Sequence, residues 1–305
     1  MKHTLALGAA LALASTSSLA APISADVVFL VDESGSMAGE HTWLGNMISS
    51  LESGLQAKGV GGSQANQYSL VGFGSSLHGT GQAPHPHDMD AGTGGIQNWG
   101  SAAQFATATS SLVASGGFED GWSAIDWAIN NLSFRSDSAV NFVLVTDEDR
   151  DAPFGDTLTA NGLLSDMGGL GALLNVVVNN NFGCSPSTTG AIGIDSDSNG
   201  YEADGSGGYT ECAGQGTIGS GFGTTKTDYV DLATATGGAA WNLNILRSGG
   251  LDADSFTQSF VDIKVEEITN QDPNDPGDPV PEPGSLALFG LGLTGLYLRR
   301  RRTQA

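Results

Sequence analysis

The apolar positions of this chain fall into two rhythms. Runs such as "ADVVFLV" (25–31), "YSLVGFG" (68–74) and "AVNFVLV" (139–145) are apolar almost throughout. They lack the alternation of a half-exposed strand, so each predicts a strand covered on both faces. Between them lie stretches with apolar residues at helical spacing. "WLGNMISSLESGLQAKG" predicts a helix stopped by the glycines at 59–62, and "GGFEDGWSAIDWAINNL" predicts another. "LLSDMGGLGALLNVVVNNN" reads as a short helix and then a strand. "TKTDYVDLATATGG" reads as a helix, followed by "AAWNLNIL". "DADSFTQSFVDIKVEEI" is a last helix, with Asp and Ser near its start. This alternation across short junctions implies one doubly wound α/β domain, a mostly parallel sheet flanked by helices in the Rossmann-like manner. It occupies about 22–268, with loop insertions at about 77–100 and 183–225.

The two ends follow other rules. "MKHTLALGAALALASTSSLAAP" has Lys2, the apolar stretch Leu5–Ala14 and small residues near Ala20. That pattern predicts a secretory signal peptide over 1–20, too short for a permanent span. At the other end, the apolar segment Leu286–Leu298 is followed at once by Arg299–Arg302. Arginines there remain cytoplasmic while the body of the protein is outside. The segment is shorter than the roughly 20 residues that span a bilayer comfortably, so it fits a temporary stop that is later cleaved. An ordinary membrane anchor is the competing reading. The triplet Pro281-Glu282-Pro283 just before it resembles the PEP-CTERM sorting signal of Gram-negative bacteria, over 281–305. The resemblance implies processing by an exosortase-type enzyme and transient membrane contact through the C-terminal segment. It also implies a destination at the cell surface or in the extracellular matrix. A Pro/Asp-rich linker at 269–280 separates this signal from the domain.

Charge agrees with export. The chain has 33 acidic and 11 basic residues, and five of the basic ones, Lys2 and Arg299–Arg302, lie in the terminal signals. Such a surface repels nucleic acid and attracts divalent cations. Cys184 and Cys212 form a pair that an oxidising destination predicts to be one disulfide. Two thiols with no nearby His make a zinc site there a poor fit.

Two of the apolar strands run into acids: Asp32-Glu33, and Asp147-Glu148-Asp149. A third loop, "GGFEDG", brings Glu119 and Asp120 to the start of a helix. In an open parallel sheet, ligands bind outside the carboxyl ends of the strands. Carboxylates that converge there without bases are costly unless a cation sits among them. Carboxylates with hydroxyls, and no Cys or nearby His, point to a hard divalent ion, Mg²⁺ foremost, with Mn²⁺ or Ca²⁺ as alternatives.

"DESGSM" after an apolar strand resembles the D-x-S-x-S motif of von Willebrand factor A-type domains, and "LVTDED" resembles their later strand-end Asp. The element order agrees over about 25–268. The resemblance implies a metal-ion-dependent adhesion site, with roles for Asp32, Ser34, Ser36 and Asp147. Many members carry a Thr where this chain has Phe118. The stretch "FEDGWSAI" is similar instead to the integrin β-subunit loop, where a Glu takes the Thr's place, which assigns the third contact to Glu119. Of the paired acids of those domains' adjacent metal site, only Glu40 has a counterpart. Gly35 is expected to permit the bend after the strand.

Two further stretches offer ligands. "DSDSNGYEAD" places Asp195, Asp197 and Asn199 at calcium-loop positions, with Glu202 or Asp204 as a substitute for the missing final acid. The competing reading is a solvated acidic loop. "HPHDMD" offers His85, His87, Asp88 and Asp90 to a transition metal, but reads better as a polar insertion. G-x-S-x-G, G-x-x-x-x-G-K and H-E-x-x-H are all absent.

The sequence thus predicts an exported binding or adhesion protein, not an enzyme. Its ligand would be a protein or glycan supplying a carboxylate to the cation. The alternatives are a metal-dependent hydrolase of extracellular polymer and a structural matrix protein with a stabilising metal.

Overall fold

The computed structural model describes residues 24–78, 82–92, 94–185 and 187–271. The expected signal peptide at 1–20, the expected linker beyond Gln271 and the sorting segment at 281–305 lie outside the described residues.

Strand β1 (Ser24–Asp32) is an interior strand of the sheet, flanked by parallel neighbours on both sides. After helix α1 (Ala38–Ala57), β2 (Gln67–Phe73) lies parallel on one side of it, and the two-residue β3 (His85–Pro86) closes that edge antiparallel to β2. Helices α2 (Ala102–Ala108) and α3 (Gly121–Asn131) follow, and β4 (Ser138–Val145) returns parallel on the other side of β1. Helix α4 (Ala160–Gly169) leads to the parallel β5 (Leu173–Val178).

The chain then makes β6 (Asn180–Gly183), β7 (Gly193–Ile194), β8 (Gly200–Ala203), β9 (Tyr209–Cys212) and β10 (Thr217–Gly221). A π-helical turn at Lys226–Val230 runs into α5 (Asp231–Ala235). Next come β11 (Ala240–Asn242), α6 (Leu243–Ser248) and the long α7 (Gly250–Asn270). The main sheet has the order β3-β2-β1-β4-β5-β11-β7-β8-β9, and β6 pairs with β10 separately. It is a mixed, mostly parallel sheet flanked by helices.

The reason β1 is apolar in both registers is visible in the core. Val27, Phe29 and Val31 face α1 and α7, among Trp43, Leu44, Phe256 and Phe260. Val28 and Leu30 face the opposite layer, with Ile125, Leu163 and Tyr229. Each such side chain contributes about 1.5–3 kcal/mol when fully buried. Helix α1 buries Leu44, Met47, Ile48, Leu51 and Leu55, a stripe at helical spacing. Its end is a Schellman turn: Gly59 N–H donates to Gln56 O and Val60 N–H to Leu55 O, each at 3.0 Å, with Gly59 at φ 87°.

The helix expected in "TKTDYVDLATATGG" is a continuous run in which the π-turn passes directly into α5. "AAWNLNIL" gives a three-residue strand, after which Asn242 caps α6 through Asn244 N–H. Two expectations are corrected. The acidic insertion 183–225 is not a loop. Its short strands β7–β9 extend the sheet antiparallel beyond β11, and Tyr201 stacks on Trp241 with ring centroids 5.7 Å apart. Helix α7 also continues two residues past the expected domain end at 268.

Cys184, just after β6, and Cys212, at the end of β9, are joined in a disulfide. They are 28 residues apart in sequence, so the crosslink restricts the unfolded chain by about 3–4 kcal/mol on the chain-entropy account. Replacing both cysteines with serine is expected to lower unfolding free energy by about that amount in urea denaturation. An unchanged midpoint would show that the insertion opens independently of the global transition.

Candidate metal centre at the strand ends

β1 and β4 are adjacent, parallel and in register through Val31 and Val145. Their continuations therefore emerge side by side at the carboxyl edge of the sheet. Asp32 ends one, and Thr146-Asp147 follows the other. Glu119 arrives from the loop before α3, whose N-cap is Asp120. Asp32, Glu119 and Asp147 each present a carboxylate oxygen within 4.8 Å of the others. All three residues are buried, at 0%, 2% and 7% exposure.

The Asp32 carboxylate is fixed by its own turn. Oδ1 accepts the Ser34 N–H at 2.7 Å and Oδ2 accepts the Thr146 hydroxyl at 2.9 Å. Ser34 Oγ is 3.0 Å from Ser36 Oγ, which donates to Asp147 Oδ1 at 2.9 Å. One connected string of oxygens thus runs from Asp32 through both serines to Asp147. Glu119 Oε2 is buried and has no hydrogen-bond partner among the described residues. Burial raises the Asp32 carboxyl above its ordinary range. Burial, and then the neighbouring Asp32, push the Glu119 carboxyl up to about 9. Three buried carboxylates, two hydroxyls and an orphaned Oε2 are the donor set of a hard divalent cation. These residues are placed to hold one.

The structure therefore brings Asp32, Ser34, Ser36, Glu119 and Asp147 together. The acids next to them go elsewhere. Asp120 caps α3 through Ser123 N–H at 3.3 Å and pairs with Arg150 Nε at 2.7 Å. Arg150 also lies 4.4 Å from the Trp122 ring centroid and bonds Asp156, pinning the loop after β4 onto α3. Asp149 accepts from the N–H and hydroxyl of Thr224. Glu148 stands on the partly exposed rim, its carboxyl raised by partial desolvation and then by Asp147.

Gly35 does not have the left-handed backbone that the bend was expected to need, and a Cβ there would rest 3.8 Å from Gly116 O, an ordinary contact. Its N–H instead donates to Gly116 O at 3.2 Å, tying the "DESGSM" turn to the neighbouring loop.

Arg247 was missed by the sequence reading. It lies on α6, just past the stretch "AAWNLNIL". Its Nη2 is 3.0 Å from Asp147 Oδ2, and its Nε bonds the buried Glu40 at 2.5 Å. The acids at this edge are thus not free of bases, and Glu40 is committed to an ion pair rather than to a second adjacent cation.

The candidate calcium ligands do not converge. Asp195 accepts from Asp197 N–H, from the N–H and side-chain amide of Asn199, and from the Tyr201 hydroxyl at 2.6 Å. Asn199 Oδ1 accepts Gly214 N–H. Asp204 is occupied separately by Ser206 and Gly208 in the β8–β9 turn. Their oxygens are spent on two local turns, so Asp195, Asp197, Asn199 and Asp204 form no shared site. "HPHDMD" also departs from expectation. Asp88 accepts from Asp90 N–H and Gln97 N–H, while His85 and His87 are buried against Glu33.

Residues 279–302 match the family described as the PEP-CTERM protein-sorting motif. That motif implies an exported protein processed at its C-terminus by an exosortase. Among the described residues, no helix is long and apolar enough to cross a membrane. No curated protein matches the chain.

Several solved structures are similar to it. Proximal thread matrix protein 1 from the mussel byssus, with a zinc-occupied MIDAS motif, is 13% identical over 81% of this chain and 47% of that one, at TM-score 0.43. A von Willebrand factor type A structure from Catenulispora acidiphila is 14% identical over 51% of this chain and 33% of that one, at TM-score 0.33. The pilus adhesin SpaC from Lactobacillus rhamnosus GG is 16% identical over 51% of this chain and 24% of that one, at TM-score 0.35. The chain spans less than half the length of each of these three.

The Thr146 hydroxyl is the buried donor that holds Asp32. Thr146→Val preserves shape and leaves Oδ2 without it, so stability is expected to fall by about 1–3 kcal/mol in chemical denaturation. An unchanged midpoint would mean that this hydrogen bond does not support the site.

Proposed function

We propose that the mature protein is an exported binding protein whose ligand is captured through one divalent cation. Asp32, Ser34, Ser36, Glu119 and Asp147 would hold the cation, Mg²⁺ foremost, with Mn²⁺ or Ca²⁺ able to replace it. When bound, the cation supplies an electrophilic centre that a carboxylate from a protein or glycan completes. The observation that carries this reading is the meeting of three buried carboxylates and two serine hydroxyls at the carboxyl ends of adjacent parallel strands. Two of these ligands are neutral hydroxyls, which fill coordination positions without adding to the charge of the three carboxylates. The likeness of "DESGSM" and "LVTDED" to the adhesion-site motif of von Willebrand factor A-type domains supports the same reading.

Binding is favoured over hydrolysis. Ser36, the exposed hydroxyl, donates to Asp147 and is not paired with an imidazole. Asp147 itself is shared with Arg247, which leaves it poorly placed to take a substrate proton. The sorting motif supports delivery to the cell surface or matrix of a Gram-negative bacterium, with the adhesive domain outside.

Calorimetric titration with Mg²⁺ and Mn²⁺ tests the cation assignment. Asp32→Ala is expected to abolish binding while the protein stays folded, because deleting one acid relieves its repulsion with Glu119. Glu119→Ala is expected to weaken binding by ~10-fold or more, the equivalent of about 1.4 kcal/mol. Capture of extracellular polymer by the wild type should require Mg²⁺ and vanish with chelator. Capture that survives chelator would contradict metal-dependent binding, and steady release of cleaved polymer would favour the hydrolase.

Intact-mass measurement tests the export route. The secreted protein is expected to begin near Ala21 and to lack Arg299–Arg302. A mass that retains the arginine tail would indicate a permanent anchor instead.

A further inference from the structure

The residue after Asp32 points into a different cluster. Glu33 is completely buried and is surrounded by three imidazoles. His85 Nε2 is 2.9 Å from Glu33 Oε2, and His78 Nε2 and His87 Nε2 are 3.3 and 3.4 Å from Oε1. One donor atom from each of the four residues lies within 4.8 Å of the others. The ring centroids of His78 and His85 are 4.1 Å apart, and His87 is 5.2 Å from His85.

The hydrogen bonds on the far side of the rings fix where the protons are. His85 Nδ1 faces the Ala83 carbonyl at 3.2 Å, and a carbonyl only accepts, so Nδ1 carries the proton. His87 Nδ1 is 2.6 Å from Ser111 Oγ, whose own proton goes to Ala108 O at 2.7 Å. Ser111 therefore accepts, and His87 Nδ1 is also the protonated nitrogen. With Nδ1 as the donor, the neutral form of each ring turns a bare Nε2 toward Glu33. Glu33 Oε1 accepts Val113 N–H at 2.8 Å, while Glu33 Oε2, His85 Nε2 and His87 Nε2 are all buried without a hydrogen bond. His85 Nε2 and Glu33 Oε2 are 2.9 Å apart and make no hydrogen bond. Lone pairs converging on one buried point are repulsive unless a cation occupies it.

Gly72 makes room for this arrangement. A Cβ there would lie 2.2 Å from Glu33 Oε2 and 2.7 Å from His87 Nε2. Only a glycine at that position of β2 leaves the space open.

We propose that Glu33, His78, His85 and His87 form a second metal site, distinct from the strand-end carboxylates, that takes a transition metal of the Zn²⁺ class. Three imidazoles and one carboxylate are the donor set of that class rather than of Mg²⁺ or Ca²⁺. Four protein donors match a closed structural site, and the Nδ1–H bonds to Ala83 and Ser111 are the outer contacts that orient such ligands. The site fastens the 77–100 insertion to the end of β1, where Glu33 N–H already bonds Phe73 O and Glu33 O accepts Ser115 N–H, each at 2.8 Å. It does not depend on the proposed function, because no residue is shared between the two sites.

The test is Zn²⁺ binding by chelator-stripped full-length protein in excess Mg²⁺, repeated with Co²⁺ as a spectroscopic substitute. One Zn²⁺ per chain is expected, and the Co²⁺ form should show the intense visible absorption of tetrahedral coordination. Asp32→Ala should retain both. His87→Ala should lose both. His78 is partly exposed, so His78→Ala leaves the core intact and should weaken Zn²⁺ by ~10-fold or more. Zn²⁺ that is lost in Asp32→Ala but unchanged in His78→Ala would place the metal at the strand-end carboxylates and overturn the proposal. So would absence of Zn²⁺ binding in the wild type, which would make the cluster an ion pair of Glu33 with protonated imidazoles.

Discussion

Two consecutive acids at the end of strand β1 set the terms for the rest of this domain. Asp32 and Glu33 are both completely buried. Burying a carboxylate costs several kcal/mol unless it is paired and hydrogen-bonded. Successive residues at a strand end face opposite sides, so each acid needs its own set of partners. Asp32 receives the Ser34 amide, the Thr146 hydroxyl and the unsettled company of Glu119. Glu33 receives the Val113 amide and three imidazoles from the insertion.

The surroundings of the strand-end acids are braced rather than loose. Arg150 clamps the loop after β4 onto α3 through Asp120 and Asp156. Arg247 joins α6 to Asp147 and to Glu40 at the start of α1. These arginines hold three loops in one place, and among the described residues none forms an ion pair with Asp32 or Glu119. That division explains how an edge so rich in acids can stay folded and still have an unmet demand for positive charge.

Much of this was legible in the sequence because it rests on short-range pattern. Wholly apolar runs marked β1, β2 and β4, and the acids that end β1 and β4 marked the carboxyl edge. Glu119 was legible only through a likeness to a loop. Other features depend on long-range packing that no local pattern encodes. Arg247 reaches Asp147 only because Asn242 ends the short β11 and caps a helix directly after it. Strands β7–β9 are two to four residues long and polar, and they persist because they pair in succession beyond β11, with Tyr201 stacked on Trp241. The histidines were visible, but their partner was not. His85 and His87 were matched with the acids beside them in sequence, whereas the structure pairs them with Glu33, more than fifty positions away. The one local signal was Gly72, a glycine inside an otherwise apolar strand, which marks a close approach.

The most direct measurement of the central claim is a crystal structure of the protein grown with Mn²⁺, with the ion located by its anomalous scattering. The account predicts a peak in contact with Asp32 and Asp147, with Ser34, Ser36 and Glu119 around it. A strong peak elsewhere, with none among these five residues, would contradict it.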